Sequence, residues 1–306
     1  MGDRRNPRSP TALAEIVMLN VDAQLFQRFC DIAYSRAGIK LRDGKEALVS
    51  ARVAKRLRAL HLSSPSEYLA FLEGDASGNE VVSFLDAIST NFTTFFREPD
   101  HFKRLEEFVD YRLSQGKKRL RVWCAASSSG EEPYTLAMTL AEMLGDSPVD
   151  WRILATDIST KILAMAEAGT YDEPALKDVP RALLSKYFRA TDSRRSSNRR
   201  WQVTDELRRK VVFKRLNLAK PPYPMPGPLD VVFCRNVMIY FDDPVRQGLF
   251  TEVDRLLADD GLVCIGHSES LSGLKTKLSI IEPSVYQPQG TVSPLTTSRA
   301  AKRMRR

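Results

Sequence analysis

The chain has 306 residues, enough for one large or two modest domains, and its 43% hydrophobic and 27% charged content is that of an ordinary water-soluble globule. No run approaches the ~20 consecutive apolar residues that span a bilayer. The charged start (Asp3, Arg4, Arg5, Arg8) also lacks the apolar stretch of a signal peptide, so membrane insertion and export are not expected and the cytoplasm is the expected compartment.

The net charge of +8 is unevenly placed. Arg299, Lys302, Arg303, Arg305 and Arg306 crowd the end, Arg194, Arg195, Arg199 and Arg200 form a second cluster, and without those nine cations the remainder carries about −1. A basic tail is either a solvated end or a lure for an acidic partner. The four cysteines (Cys30, Cys124, Cys234, Cys264) are scattered, and three fall in apolar strand-like runs. They read as reduced core residues, without metal-ligand spacing.

Residues 1–12 carry prolines and charges and are expected to be disordered. From 13 to 90 the apolar period is helical. Phe26, Phe29, Ile32 and Ala33 form one face closed by Gly38, and Val49, Val53, Leu57 and Leu60 form a second. Ser64-Pro65 opens a third helix with Tyr68, Leu69 and Leu72, and Val81, Phe84, Leu85 and Ile88 form a fourth. An all-α N-terminal domain follows, joined through an interdomain linker and helix at 91–118. Beyond that the texture becomes β-branched runs alternating with amphipathic helices: strands at 120–124, 152–156, 211–215, 230–234, 262–266 and 284–288, helices near 132–144, 159–168, 180–188 and 244–257. That alternation predicts an α/β domain over 119–289 with a mostly parallel sheet. The Arg- and Ser-rich stretch 189–213 around Trp201 interrupts it and is expected to form a small inserted β-subdomain, and 290–306 is expected to be a basic disordered tail.

In such sheets ligands lie at the carboxyl ends of the strands. The strand 121–124 breaks into Ala125-Ala126-Ser127-Ser128-Ser129-Gly130 and then opens a helix, and the next strand is closed by Asp157, 27 residues after Gly130. A small-residue turn lets backbone N–H groups approach a ligand, and an acid there accepts hydrogen bonds from ribose hydroxyls. With no G-x-G-x-x-G a dinucleotide fits poorly, and a smaller nucleoside such as S-adenosylmethionine fits better. Glu131 and Glu132 suit the helix N-terminus electrostatically, and one of them could face the cofactor's ammonium. Asn217-Leu218 follows the strand 211–215, where an amide and backbone groups could read an adenine edge. Arg235-Asn236 directly after Val-Val-Phe-Cys is costly unless it faces a cleft or finds partners. Thr90 to Glu98 joins the domains with mixed aromatics and polar groups.

Six motifs occur here in order: Thr-Asn-x-Thr-x-Phe-Phe-Arg-Glu, Ser-x-Gly-Glu-Glu-Pro-Tyr, Thr-Asp-Ile-Ser, Leu-Asn-Leu, Phe-Cys-Arg-Asn-Val-x-Ile-Tyr-Phe and Gly-His-Ser-Glu-Ser. From about Phe26 to Tyr286 the chain resembles the CheR-type chemotaxis receptor methyltransferases, which use S-adenosylmethionine to esterify receptor glutamates. The resemblance implies a Rossmann-like methyltransferase domain carrying a small inserted β-subdomain, preceded by an all-α N-terminal domain. It implies cofactor contacts at Asn91, Thr93, Arg97, Ala126, Glu132, Asp157, Asn217, Leu218, Arg235 and Asn236, with Arg97 and Tyr240 holding the incoming carboxylate and no metal. Many relatives have glycine where Ala126 stands. S-adenosylhomocysteine is the implied product, the cytoplasmic helical domain of a chemoreceptor the implied partner, and a monomer the expected state.

Two other readings compete. Lys220-Pro221-Pro222-Tyr223 faintly resembles the motif of amino-methylating nucleic-acid enzymes, but it has Lys where a carbonyl must accept a proton and precedes the strand it should follow. A non-catalytic receptor-binding module would not need the full set of pocket residues. Arg52, Lys55, Arg56 and Arg58 crowd one helix of the N-terminal domain and form either a solvated face or a surface for an acidic receptor.

Overall fold

In the computed structural model, residues 21–89, 92–191 and 199–291 are described. The expected disorder of 1–12, the Arg194–Arg195 pair and the basic residues from Arg299 onward lie outside them.

Four helices form the N-terminal domain: α1 (Ala23–Ala37), α2 (Glu46–Leu60), α3 (Pro65–Glu73) and α4 (Asn79–Ile88). Local chemistry sets their ends. The Asp22 carboxylate caps α1 by accepting from Leu25 N at 2.8 Å, and the Ser64 hydroxyl caps α3 with Pro65 at its first position. Asp75 fixes the start of α4 by accepting from the backbone N–H groups of Glu80 and Val81. The rings of Phe29, Tyr68 and Phe84 meet at the centre, 5.5–6.4 Å apart. Arg56 donates to both carboxylate oxygens of Glu80, at 2.8 and 2.6 Å, and Tyr68 donates to the same carboxylate, so this arginine is held inward.

The second domain is built on a seven-stranded sheet: β1 (Arg119–Cys124), β2 (Asp150–Asp157), β6 (Val211–Arg215), β7 (Leu229–Cys234), β8 (Leu257–Ile265), β9 (Leu278–Glu282) and β10 (Val285–Pro288). Its spatial order is β6-β2-β1-β7-β8-β10-β9. The first five strands run parallel, and β10 and β9 are antiparallel to their neighbours. Side-chain alternation divides the core. Val122, Cys124, Val231 and Phe233 join one apolar layer with α5 (Asp100–Ser114) and α6 (Glu131–Leu144), whereas Trp123, Ala125, Val232 and Cys234 join another with α10 (Asp243–Leu256). Every residue of β7 is buried, as a central strand covered on both faces requires. All four cysteines are free and buried.

A second sheet, β3 (Thr170–Asp172), β5 (Arg200–Val203) and β4 (Phe188–Ala190), is antiparallel in the order β3-β5-β4 and follows α7 (Thr160–Ala168). The helix α8 (Arg181–Tyr187) lies between β3 and β4 in sequence, and the single turn α9 (Asp205–Arg208) follows β5. The small sheet therefore begins about twenty residues before the expected 189–213 segment, and 211–213 belongs to the main sheet through pairing with β2. Three residues of β3 are too few to carry a periodic signal. Their strand character comes from pairing with β5.

The two domains share a boundary. The Asn217 amide donates to the Arg36 carbonyl at 2.6 Å, Lys40 N donates to the Tyr240 carbonyl at 2.8 Å, and the Tyr34 hydroxyl donates to Asp242 at 2.9 Å. Gly38, at φ +67°, ends α1 there. A Cβ on it would lie 2.6 Å from the Ala219 Cβ, so only glycine permits this approach. Tyr240 and Ile158 of the second domain pack against the N-terminal core.

Candidate active site

The loop after β1 is folded by its own backbone. Ala125 N donates to the Phe233 carbonyl and Ser127 N to the Thr156 carbonyl, which spans the carboxyl ends of three adjacent strands. Ser128 then takes φ +46° and Gly130 φ +101°, and a Cβ at Gly130 would meet the Tyr171 hydroxyl at 2.6 Å. This left-handed turn delivers Ser128 N to Asp157 Oδ2 at 3.0 Å, while Ser159 N reaches Oδ1 at 3.1 Å. A carboxylate has about four lone-pair directions, so Asp157 keeps acceptor capacity on both oxygens. Burial holds its carboxyl above the usual carboxylate range, opposed by these backbone bonds.

Glu132 stands in the first turn of α6, with the Cys124 thiol donating to Oε1 at 3.1 Å. Burial raises its carboxyl and Arg235 opposes the shift. Arg235, its side chain fully buried, is the cation on which the site is organised. It pairs with Glu98 Oε2 and with Glu132 Oε2, each at 3.1 Å, and donates to the Arg97 carbonyl. The expected cost of a buried arginine is met by two carboxylates, and Glu98 is in turn held below the usual carboxylate range by Arg235, against burial.

The loop that follows β7 is pinned from the segment after β8. Glu269 accepts from Gly266 N at 2.7 Å, Met238 N at 2.8 Å and Asn236 N at 2.9 Å, with Asn236 at φ +57°. That clamp sets the short 3₁₀ turn Met238–Tyr240. Phe96, Glu98, Ser128 and Asn236, four of the six described non-glycine residues at positive φ, all lie in these segments, where strain costs about 1–3 kcal/mol each.

Together the loops enclose a cleft of about 830 Å³, mouth included. Of the residues expected from the sequence, Thr93, Arg97, Ala126, Glu132, Asp157, Asn217, Leu218, Arg235, Asn236 and Tyr240 all line it. Asn91 lies outside the described residues. Asn217 differs from its expected use. Its amide donates to the Arg36 carbonyl and its side-chain oxygen accepts from Ala219 N at 3.0 Å, so the side chain ties the domains. Sequence reasoning missed the wall supplied by the N-terminal domain, namely Ala37, Ile39 and Ser89, and the apolar Ile158, Val237 and Phe241. The only signal for the first group was Gly38, whose tight approach is visible in three dimensions alone. Arg97 and Arg235 line the cleft with Glu132 and Asp157, and Glu98 and Glu269 bond its loops from outside the lining. Four carboxyl groups thus stand against two guanidinium groups, a balance that favours a cationic guest.

A parallel sheet with a small-residue turn, an acid closing the second strand and a cleft at the strand ends defines a Rossmann-like, nucleoside-binding methyltransferase. Residues 91–287 match the CheR methyltransferase SAM binding domain and residues 24–89 the CheR methyltransferase all-alpha domain. The chain is 42% identical over 262 residues to the chemotaxis protein methyltransferase of Salmonella typhimurium, covering 85% of this chain and 88% of that one. It is 41% identical to that of Escherichia coli, covering 85% and 89%, and 41% identical to a probable chemotaxis protein methyltransferase of Rhizobium etli, covering 78% and 90%. The chain belongs to the CheR methyltransferase family and is an S-adenosylmethionine-dependent methyltransferase.

Proposed function

We propose that the protein methylates glutamate carboxylates on the cytoplasmic helical domain of chemoreceptors, as a cytoplasmic monomer without a nucleic-acid substrate, giving glutamate methyl esters and S-adenosylhomocysteine. The observation that carries this reading is the convergence of ten expected residues, nine of them from the motifs, on one cleft. Four carboxyl groups in or beside the cleft, against two guanidinium groups, suit a cofactor bearing a sulfonium. The remaining lone pairs of Asp157 suit ribose hydroxyls, Glu132 suits the ammonium, and Arg235 with Asn236 shapes the floor. Leu218 and the backbone beside it, with Ile158, suit the adenine.

When bound, the cofactor supplies an activated methyl group on a sulfonium leaving group. A glutamate side chain has an ordinary pKa near 4.3 and arrives already ionised, so no general base is required. Arg97 and Tyr240 both line the cleft, where Arg97 would give that carboxylate a cationic partner and the Tyr240 ring would limit its approach. Alignment of this kind supplies roughly 7–11 kcal/mol of a barrier. The test is incubation of the full chain with radiolabelled S-adenosylmethionine and a panel of receptor cytoplasmic domains. Base-labile label on glutamate is the expected result. Label that resists base, or that appears on another residue type, would refute the reading.

A further inference from the structure

Behind Arg235 lies a second group of ligating atoms that the methyl-transfer reading does not use: Glu98, His101 and His267, whose nearest candidate donors all fall within 4.8 Å of one another. His101 is 1% exposed. Its Nε2 lies 2.7 Å from Ser284 Oγ, and that hydroxyl spends its single hydrogen on the Pro283 carbonyl at 2.6 Å. These contacts assign the N–H to Nε2, the tautomer that leaves Nδ1 as a bare lone pair. Among the described residues Nδ1 has no hydrogen-bond partner, and in that tautomer it faces Glu98 Oε2 at 3.4 Å, acceptor against acceptor. Arg235 already meets that carboxylate oxygen, but the buried imidazole lone pair is costly unless a cation or donor lies between the two.

The geometry suits an ion. A separation of 3.4 Å is the edge of a tetrahedron whose metal–ligand bonds are about 2.1 Å, the length typical of zinc with imidazole nitrogen or carboxylate oxygen. Ser284 acts as the outer partner that fixes the tautomer, as metal-bound imidazoles require. The His267 ring is 4.8 Å from that of His101, centroid to centroid, and its residue is exposed, so it can swing onto the ion and gives a path from solvent. Two imidazoles and one carboxylate form a donor set suited to zinc, with the fourth position left to water.

We propose that Glu98, His101 and His267 form a site for a zinc-class divalent ion, and that its occupancy antagonises S-adenosylmethionine. The antagonism rests on the cofactor placement proposed above and follows from Glu98 Oε2, which also accepts from Arg235 Nε at 3.2 Å. An ion on that oxygen draws density from the Arg235 contact and sets two positive charges behind a cleft built for a cationic guest. Coupling between two ligands is reciprocal, so the cofactor must weaken the metal by the factor that the metal weakens the cofactor.

The test is calorimetric titration of the full chain, stripped with EDTA, with Zn²⁺, alongside visible absorption of the Co²⁺-loaded protein. One ion per chain, a four-coordinate Co²⁺ spectrum and at least about a tenfold loss of affinity in His267→Ala are expected, with circular dichroism and melting of the metal-free variant unchanged. No stoichiometric ion, or an affinity that survives His267→Ala, would overturn the site and leave the gap to an ordered water. Repeating the titration with saturating S-adenosylmethionine reads the coupling separately. Unchanged metal affinity in a protein whose cofactor binding is verified would overturn the antagonism.

Discussion

Asp157 is a staple and, on the proposed reading, also a ligand to the cofactor. It holds the loop through Ser128 and the helix α7 through Ser159, and its remaining lone pairs face the cleft. Asp157→Ala should weaken S-adenosylmethionine binding by roughly 1.5–3 kcal/mol, as for a hydrogen bond to a charged group, and calorimetry at neutral pH checks it. Its raised carboxyl sets a pH dependence. A folded value above the unfolded one gives a stability contribution that is present at low pH and lost as pH rises through the folded value. A cationic guest needs the ionised form, so binding should release protons, and affinity should fall as pH drops through the raised value. Binding heats that do not vary with the buffer's ionisation enthalpy in that window would refute this. At Arg97 the expectation is different. Arg97→Ala removes one guanidinium bond, to the Phe92 carbonyl, so stability should change by less than about 1 kcal/mol while turnover falls on the order of 100-fold. Turnover within a few-fold of wild type, measured with saturating cofactor, would remove Arg97 from the reaction.

At the scale of the element, the loop from Arg235 to Phe241 depends on a residue outside it. Three backbone N–H groups converge on Glu269, so Glu269→Gln, which keeps one acceptor and loses the charge, should lower kcat/KM by about tenfold or more, with Glu269→Ala worse. Equal kinetics for both variants and wild type would show that the loop holds its shape alone. The elements themselves were legible to different degrees. The helices α1 to α4 were visible because their apolar faces repeat at helical spacing, with local side-chain caps on α1 and α3, and β1, β2, β6 and β7 because each holds a compact apolar run. Leu278–Glu282 and Thr170–Asp172 were not. Each is an edge strand that owes its conformation to a partner, β10 in one case and β5 in the other. The same division holds in the site: motif residues announced themselves, whereas Ala37 and Ile39 carry no chemistry and reach the cleft only through tertiary packing.

For the whole molecule, receptor docking is the electrostatic question. Arg56 is committed to Glu80 and Tyr68, so it contributes to the N-terminal core and cannot report on docking. Arg52, Lys55 and Arg58 on α2 remain as candidates for an acidic receptor helix. Charge reversal at Lys55 and Arg58, both exposed, should raise the KM for receptor and leave cofactor affinity unchanged. The wild-type rate at limiting receptor should also fall with salt, since exposed pairs are screened over ~8–10 Å. A rate indifferent to salt, together with an unchanged KM in the reversed variant, would return α2 to a merely solvated face.

The bond from the Asn217 amide to the Arg36 carbonyl, beside the close approach of Gly38 to Ala219, bears on how such proteins can be recombined. A helical domain that helps wall the cleft is not an interchangeable adaptor. A chimera that grafts a relative's α1–α4 onto this catalytic half, chosen to redirect receptor choice, should lose affinity for S-adenosylmethionine unless residues 217–219 and 240–245 travel with the graft. Cofactor titration of the two chimeras decides it. Divergence in receptor preference would then be channelled into surfaces such as α2 that lie away from this seam, and the seam itself would be inherited as one piece.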